Sequence, residues 1–228
     1  MSYVIDNITD ADRKIFKMIE SLRESIKNKN LKVEFLDFGA GDPVDTRDEL
    51  TMSNGVKTTR YTQQLCQIGL KGEWVEIIYS LVKKYKPENI LELGTCCGFS
   101  SIYMSKANKE SNIYTIEGAC EIANIAKQNI REAECENINQ IIGKFDDVLL
   151  STLNVIQKID FVFIDGHHDK NATLKYFKTI KPYLNDGAMV VFDDIDWSDG
   201  MKKCWIEITK DSDIKKYDDL EKLGICYL

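Results

Sequence analysis

The apolar positions of the chain follow two rhythms, and the changes between them mark its elements. From Thr9 to about Asn28, Ile15, Phe16, Ile19, Leu22 and Ile26 recur three or four residues apart, the spacing of one helical face. Thr9-Asp10-Ala11-Asp12 supplies an N-cap with acids in the first turn. Met1 to Ile8 has no such pattern and reads as a loosely held start. Val33 to Phe38 reads as a strand running into Gly39-Ala40-Gly41. Asp42-Pro43 and polar residues through Gly55 follow, so no helix begins where an anion-binding turn needs one. This stretch is therefore read as structural or loop-forming. The polar segment from Asp42 to about Thr62 reads as a long mobile loop of the kind that acts as a lid. Tyr61 to Gly69 and Gly72 to Tyr85 read as helices, the second with Trp74, Ile77, Ile78, Leu81, Val82 and Tyr85 on one side.

From Asn89 onward the alternation is regular. Asn89 to Leu93 is a short apolar run, followed by the turn Gly94-Thr95-Cys96-Cys97-Gly98 and a helical segment from Ser100 to Ala107. Further strands are expected at Asn112 to Ile116, Asn139 to Ile142, Phe161 to Ile164 and Ala188 to Phe192. Helices are expected between them, at Cys120 to Ala133, Asp146 to Ile156 and Asn171 to Leu184, the last broken near Pro182. A helix from about Asp199 to Thr209 and two final strands, Ile214 to Leu220 and Leu223 to Leu228, close the chain. Strands alternating with helices predict an α/β fold, Rossmann-like, with a mostly parallel sheet and helices on both faces. Ligands in such folds sit at the carboxyl ends of the strands.

That edge carries the candidate chemistry. Each strong strand of this half ends in an acid or a glycine: Glu92, Glu117, Gly143, Asp165 and Asp193. A carboxylate at the end of a buried strand is costly unless it is solvated, paired or liganded. Gly94 and Gly98 let backbone approach a ligand closely, and the helix start beyond them suits an anionic group. Glu117 follows one β-α-β step later, where an acid grips the ribose hydroxyls of a bound nucleoside. The turn departs from Gly-x-Gly-x-x-Gly: Cys96 holds the middle position and there is no third glycine. That favours a nucleoside joined to an amino acid over a dinucleotide. His167 and His168 are the chain's two histidines, both in the loop after the fourth of these strands. Their ordinary pKa suits proton removal, although capping the next helix or bonding a carboxylate would equally occupy one of them. Trp197 stands at the rim after the fifth strand and Trp205 reads as core or interface. Cys96 and Cys97 read as small buried fillers.

Composition narrows the classes. The chain has 228 residues, 43% hydrophobic, enough for one α/β domain and an N-terminal extension. Its net charge is −7, its pI about 5.0, and no stretch is strongly basic, so nucleic acid is not an expected partner. Lys83, Lys84 and Lys86 read as the solvated end of a helix. The seven cysteines match no zinc spacing, and neither a signal peptide nor a membrane-spanning run is present. Free thiols in a cytoplasmic protein without membrane partners are the expectation. The N-terminal helix either covers the sheet or pairs with a second copy in a homodimer.

Leu91-Glu92-Leu93-Gly94-Thr95-Cys96-Cys97-Gly98-Phe99-Ser100 resembles motif I of class I S-adenosylmethionine-dependent methyltransferases, in the variant of the catechol-type small-molecule O-methyltransferases. Tyr114 to Glu117, Gly143 to Asp146, Phe161 to His168 and Val191 to Ile195 resemble the later motifs of that family, and Leu223 to Leu228 its last antiparallel strand. The resemblance covers about Thr62 to Leu228. It implies a seven-stranded sheet in a methyltransferase domain over residues 62–228, with residues 1–61 as a helical extension and loop. It also implies roles. Glu92 and Gly94 would lie near the methionine moiety, with Thr95, Gly98 and Ser100 beside its carboxylate or amine. Glu117 would hold the ribose, while Gly118, Lys144, Phe145 and Asp146 flank the adenine. Asp165 and His167 would face donor and acceptor, and Asp165, His167 and His168 are the catalytic candidates. Asp165, Asp193 and Asp194 match the positions that bind a divalent metal such as Mg²⁺ in catechol-type enzymes; Asp194 stands where an amide is usual. The function implied is methyl transfer from S-adenosylmethionine to a small-molecule acceptor, at oxygen. A nicotinamide-dependent oxidoreductase and a catalytically silent nucleoside-binding module stand as alternatives.

Overall fold

A computed structural model describes residues 7–228. The expectation of a loosely held start over Met1 to Ile8 therefore falls, for residues 1–6, outside the described residues. Helix α1 (Asp10–Lys29) begins where the sequence places its cap: the Thr9 hydroxyl accepts from the Asp12 N–H, and the Asp12 carboxylate accepts from the Thr9 N–H at 2.6 Å. Its Phe16, Ile19 and Ile26 are buried within the same chain. The Phe16 ring meets Tyr79 edge-on at 4.7 Å and lies 5.3 Å from Tyr103. Arg23 carries its charge inward. It donates to the carbonyls of Cys66 and Leu70 and stacks over the Phe99 ring at 4.1 Å. So α1 packs on the helices that carry Cys66, Tyr79 and Tyr103 rather than directly on the sheet.

Strand β1 (Lys32–Asp37) follows and pairs antiparallel with β2 (Val56–Tyr61), with helix α2 (Glu49–Asn54) between them. The expected mobile loop from Asp42 to Thr62 is thus corrected: its second half is a capped helical turn and a strand. Asp48 caps α2 by accepting from the Thr51 N–H at 2.7 Å. The residues of β2 alternate between half-buried and exposed, so the strand shows no apolar run to mark it. Helices α3 (Thr62–Ile68) and α4 (Glu73–Tyr85) complete this layer. Lys83, in the last turn of α4, reaches back 2.5 Å to Asp12 of α1.

The remaining elements alternate: β3 (Asn89–Leu93), α5 (Phe99–Ala107), β4 (Asn112–Glu117), α6 (Cys120–Glu132), β5 (Ile138–Ile142), α7 (Phe145–Ile156), β6 (Ile159–Ile164), α8 (Lys170–Ile180), β7 (Leu184–Phe192), α9 (Asp199–Ile208), β8 (Lys216–Leu220) and β9 (Leu223–Tyr227). Pro182 lies in a 3-10 turn, Lys181–Tyr183, that ends α8 as the sequence predicts. The seven strands order as β5-β4-β3-β6-β7-β9-β8, parallel except for β9, which runs against both neighbours. Strand order reverses between β3 and β6, the place where such sheets open a crevice. Two apolar clusters, one on each face, bury β3 from Ile90 onward, β6 apart from Asp160, and β7 from Ala188 to Phe192. No helix among the described residues is long and apolar enough to cross a membrane.

Candidate active site

The crevice is a cavity of about 410 Å³ at the carboxyl edge of the sheet, within the range of small-molecule sites. Gly94 ends β3 at its floor with φ +105°, and a Cβ there would drive into the Asp165 carbonyl at the end of β6. Only glycine lets the two strand ends meet this closely. The Gly94 and Thr95 N–H groups donate to the Ile116 carbonyl, at 3.0 and 3.2 Å, pinning the turn to β4.

Glu117 ends β4 and lines the cavity. Its two oxygens accept one bond each from backbone, from Cys96 N–H at 2.8 Å and Ala119 N–H at 2.9 Å. A carboxylate has about four acceptor positions, so both oxygens keep capacity for a ligand's hydroxyls. Burial pushes its carboxyl above the usual range, partly offset by the backbone donors. Gly118, Lys144, Phe145 and Asp146 line the same side. Phe38, beyond β1, closes this side from above. A Cβ on Gly118 would lie 2.9 Å from the Phe38 ring.

Glu92, Thr95, Gly98 and Ser100 lie outside the lining. Glu92 is fully buried one layer beneath the turn. It accepts from the hydroxyls of Ser100 and Thr115, at 2.5 Å each, and from that of Ser101. The Thr95 hydroxyl joins the Thr115 hydroxyl at 2.6 Å. Burial raises the Glu92 pKa, and the three hydroxyls counter it. This set holds strand, turn and helix together as one hydrogen-bonded unit, and Asn129 adds a bond from its side chain to the Cys97 carbonyl at 2.9 Å.

The loop after β6 parts the two histidines. Both take positive φ, 68° at His167 and 45° at His168, a backbone state unusual for such residues. His167 shares a 2.8 Å hydrogen bond with the Tyr176 hydroxyl through Nδ1 and sits beside Phe145. Its carbonyl accepts from the Ala40 N–H at 2.9 Å, which ties the β1 end to this loop. His168 turns the other way. Its Nε2 lies 3.7 Å from Asp165 and 3.8 Å from Asp194, and its ring stacks at a tilt on Trp197, 5.7 Å away. Burial lowers the pKa of both histidines. Burial, with Asp193 and Asp194 nearby, raises Asp165 well above the carboxylate range.

The acids expected to hold a metal are arranged otherwise. Asp165 and Asp194 line the cavity, whereas Asp193 is buried outside it. Lys222, in the turn between β8 and β9, sets its ammonium 2.9 and 3.1 Å from the two oxygens of Asp193 and bonds Asp194 as well. Among the described residues no group of three or more metal-ligating side chains has the arrangement of a metal site. A divalent ion does not fit where an ammonium already holds these carboxylates.

Sequence reading missed several contributors. Phe38, Ala40, Met52 and Leu65 form the cavity's far wall, and the first two belong to the stretch read as structural. The expectation was sound in that no helix begins at Gly41, the next starting only at Glu49. Its residues nevertheless reach the site, because pairing with β2 folds them over it. Tyr176 was hidden as one apolar residue in a helix, and Lys222 as one lysine in a polar turn. Trp205 is core, its indole donating to Asp219 at 2.8 Å and packing on Gly224. Cys97 is a buried filler, while Cys96 lines the cavity.

The family described as a methyltransferase domain matches residues 91–195, the span that holds the turn, Glu117 and the β6 and β7 ends. The catechol O-methyltransferase of Niastella koreensis is 30% identical over 128 residues, covering 55% of this chain and 56% of that enzyme. The chain thus spans a little over half the length of this relative. Protein R132 of Acanthamoeba polyphaga mimivirus is 26% identical over 166 residues, 66% of this chain and 74% of that protein. Among solved structures, the O-methyltransferase from Bacillus cereus in complex with SAH (S-adenosylhomocysteine) superposes with a TM-score of 0.61 at 19% identity, over 72% of this chain and 85% of that one. The SAH-bound methyltransferase of Podospora anserina superposes at 0.63 and 13% identity, over 99% of this chain and 92% of that one. Motifs, sheet order and relatives agree: a methyltransferase-domain family matches residues 91–195, and the chain resembles the class I S-adenosylmethionine-dependent methyltransferases of the catechol O-methyltransferase type.

Proposed function

We propose that this chain transfers a methyl group from S-adenosylmethionine to a hydroxyl oxygen of a small-molecule acceptor. The observation that carries the reading is that one cavity is lined by Gly94, Glu117 and Gly118 on one side and by Asp165, His168, Asp194 and Trp197 on the other. A nucleoside grip and a proton acceptor thus share one enclosed space. The donor, when bound, supplies a methyl group on a positively charged sulfur, a good leaving group. Glu117 holds the ribose hydroxyls, and Lys144, Phe145, Asp146 and Phe38 flank the adenine. Glu92, Thr95 and Ser100 act from beneath, keeping the turn in shape. Holding two reactants in line supplies several kcal/mol of the barrier.

His168 is the residue proposed to take the acceptor's proton. Its lowered pKa leaves the imidazole neutral at pH 7, and Asp194, 3.8 Å from Nε2, stabilises the imidazolium that forms. His167 is engaged with Tyr176 on the adenine side and is assigned to positioning. Trp197 offers the acceptor an aromatic surface beside His168. The reversed β9 argues against the nicotinamide reading, since the usual dinucleotide sheet runs parallel in the order 3-2-1-4-5-6. Incubation with methyl-labelled donor and a metabolite extract, with identification of the labelled product, tests the proposal and names the acceptor. In parallel, S-adenosylhomocysteine is expected to bind in calorimetric titration, and NAD(H) is not. Donor binding with no methylated product from any extract would instead mark a silent nucleoside-binding module.

A further inference from the structure

Three carboxylates, Asp165, Asp193 and Asp194, gather at the ends of β6 and β7, and such a group needs a cation. The chain supplies one of its own. Lys222 arrives from the turn joining β8 to β9, where its carbonyl accepts from the Ile195 N–H at 3.1 Å and its own N–H donates to the Leu220 carbonyl at 2.9 Å. The backbone that follows Asp194 and the backbone that carries Lys222 are therefore stitched together, and the ammonium is delivered in register. It contacts both oxygens of Asp193 and Oδ1 of Asp194. The remaining Asp194 oxygen faces His168, which in turn faces Asp165. The side chain of Asp193 is 4% exposed and that of Lys222 28%, so the pair is well shielded from water.

We infer that the Lys222 ammonium is the built-in cation of this carboxylate cluster, standing where a divalent metal would bind, and that it orients Asp194 toward His168. The chemistry follows from charge and reach. One ammonium offers three donors, enough to reach oxygens of two adjacent aspartates. A divalent ion brought to the same oxygens would meet a like charge at contact distance, a repulsion of several kcal/mol even at the effective dielectric of a protein surface. Lys222 is a positioning residue, acting through Asp194 and touching no reacting atom. The inference rests on the proposed methyl transfer only for its consequence, a reaction independent of added metal. Its central test reads ion binding and needs no acceptor.

Titration with Mn²⁺, followed by electron paramagnetic resonance of the free ion, compares the full chain with Lys222→Ala, Lys222→Met and Lys222→Arg. The intact chain is expected to bind no Mn²⁺ at millimolar concentration, and its methyl transfer to be unchanged in excess chelator. Removing the ammonium in Lys222→Ala uncovers the oxygens and raises Mn²⁺ affinity by roughly a hundredfold or more. Arg retains the charge and gains none. A lysine that only ties the turn to the sheet would lower the melting temperature in all three variants without creating ion affinity. Stoichiometric Mn²⁺ binding by the intact chain overturns the inference whether or not the variants fold. Equal Mn²⁺ affinity in folded Lys222→Met, Lys222→Ala and the intact chain does so as well. Failure of methyl transfer with the ion results as expected would count against the proposed function alone.

Discussion

Nε2 of His168 lies 3.7 Å from Oδ1 of Asp165, and no hydrogen bond between the two is formed at that distance. The imidazole lies beside Asp165 without being committed to it. Burial moves the two groups in opposite directions, the histidine down from 6.5 and the aspartate well up from 3.8, and so narrows the ordinary gap between them. Perturbed titratable groups gathered in one cleft mark a candidate site for proton transfer.

The pH dependence follows from the sign of that shift. A histidine with its pKa lowered from 6.5 is neutral, and able to accept a proton, at every pH above the lowered value. Methyl transfer should therefore hold through pH 7 and decline only as pH falls below about 6.5 through that lowered pKa. His168→Asn should reduce kcat by about 10²–10⁴-fold and erase this acid limb. A limb that persists in the variant's pH–rate profile would transfer the role to Asp165.

Glu117→Ala should weaken S-adenosylhomocysteine binding by roughly tenfold to a hundredfold, the range for lost hydrogen bonds to a charged acceptor. The backbone donors of Cys96 and Ala119 lose a partner, so a modest fall in melting temperature is also expected. Calorimetric titration of the folded variant reads the first effect. Unchanged affinity would remove Glu117 from the ribose.

Gly94→Ala has no room. The added methyl meets the Asp165 carbonyl, and the +105° φ is itself unfavourable for alanine. Separating the ends of β3 and β6 should cost about 2–4 kcal/mol, read as a lowered urea midpoint. The same change should abolish cofactor binding, since the floor of the cavity moves with those strand ends.

Phe38→Ala tests the wall that β1 contributes. Its ring presses on Gly118 and stands 5.9 Å from the Lys144 ammonium. Stacking of a base on an aromatic ring contributes about 1–3 kcal/mol, so S-adenosylhomocysteine affinity should fall by about five- to a hundredfold. Binding of the donor analogue at full strength would show that Phe38 shields the cavity without touching the adenine.

Much of this protein was legible as a string. The alternation of apolar runs with helical periods, the glycine turn, and acids at strand ends are local features, because period and strand termination depend on neighbours a few residues away. They were sufficient for the α/β class, for the family resemblance and for Glu117, Asp165 and His168 at one edge. Tertiary structure decided what each acid does. Glu92 and Glu117 both stand near strand ends, yet the hydroxyls of Ser100, Ser101 and Thr115 enclose the first, and the second keeps an open face. The neighbouring aspartates of β7 met a cation from Lys222, nearly thirty residues on, brought there by the return of β9 along β7. The polar stretch before Thr62 became a wall only because β2 pairs with β1, a union with no apolar pattern to announce it. Side-chain direction and distant partners depend on packing across the whole sheet, and no window of neighbouring residues contains that information.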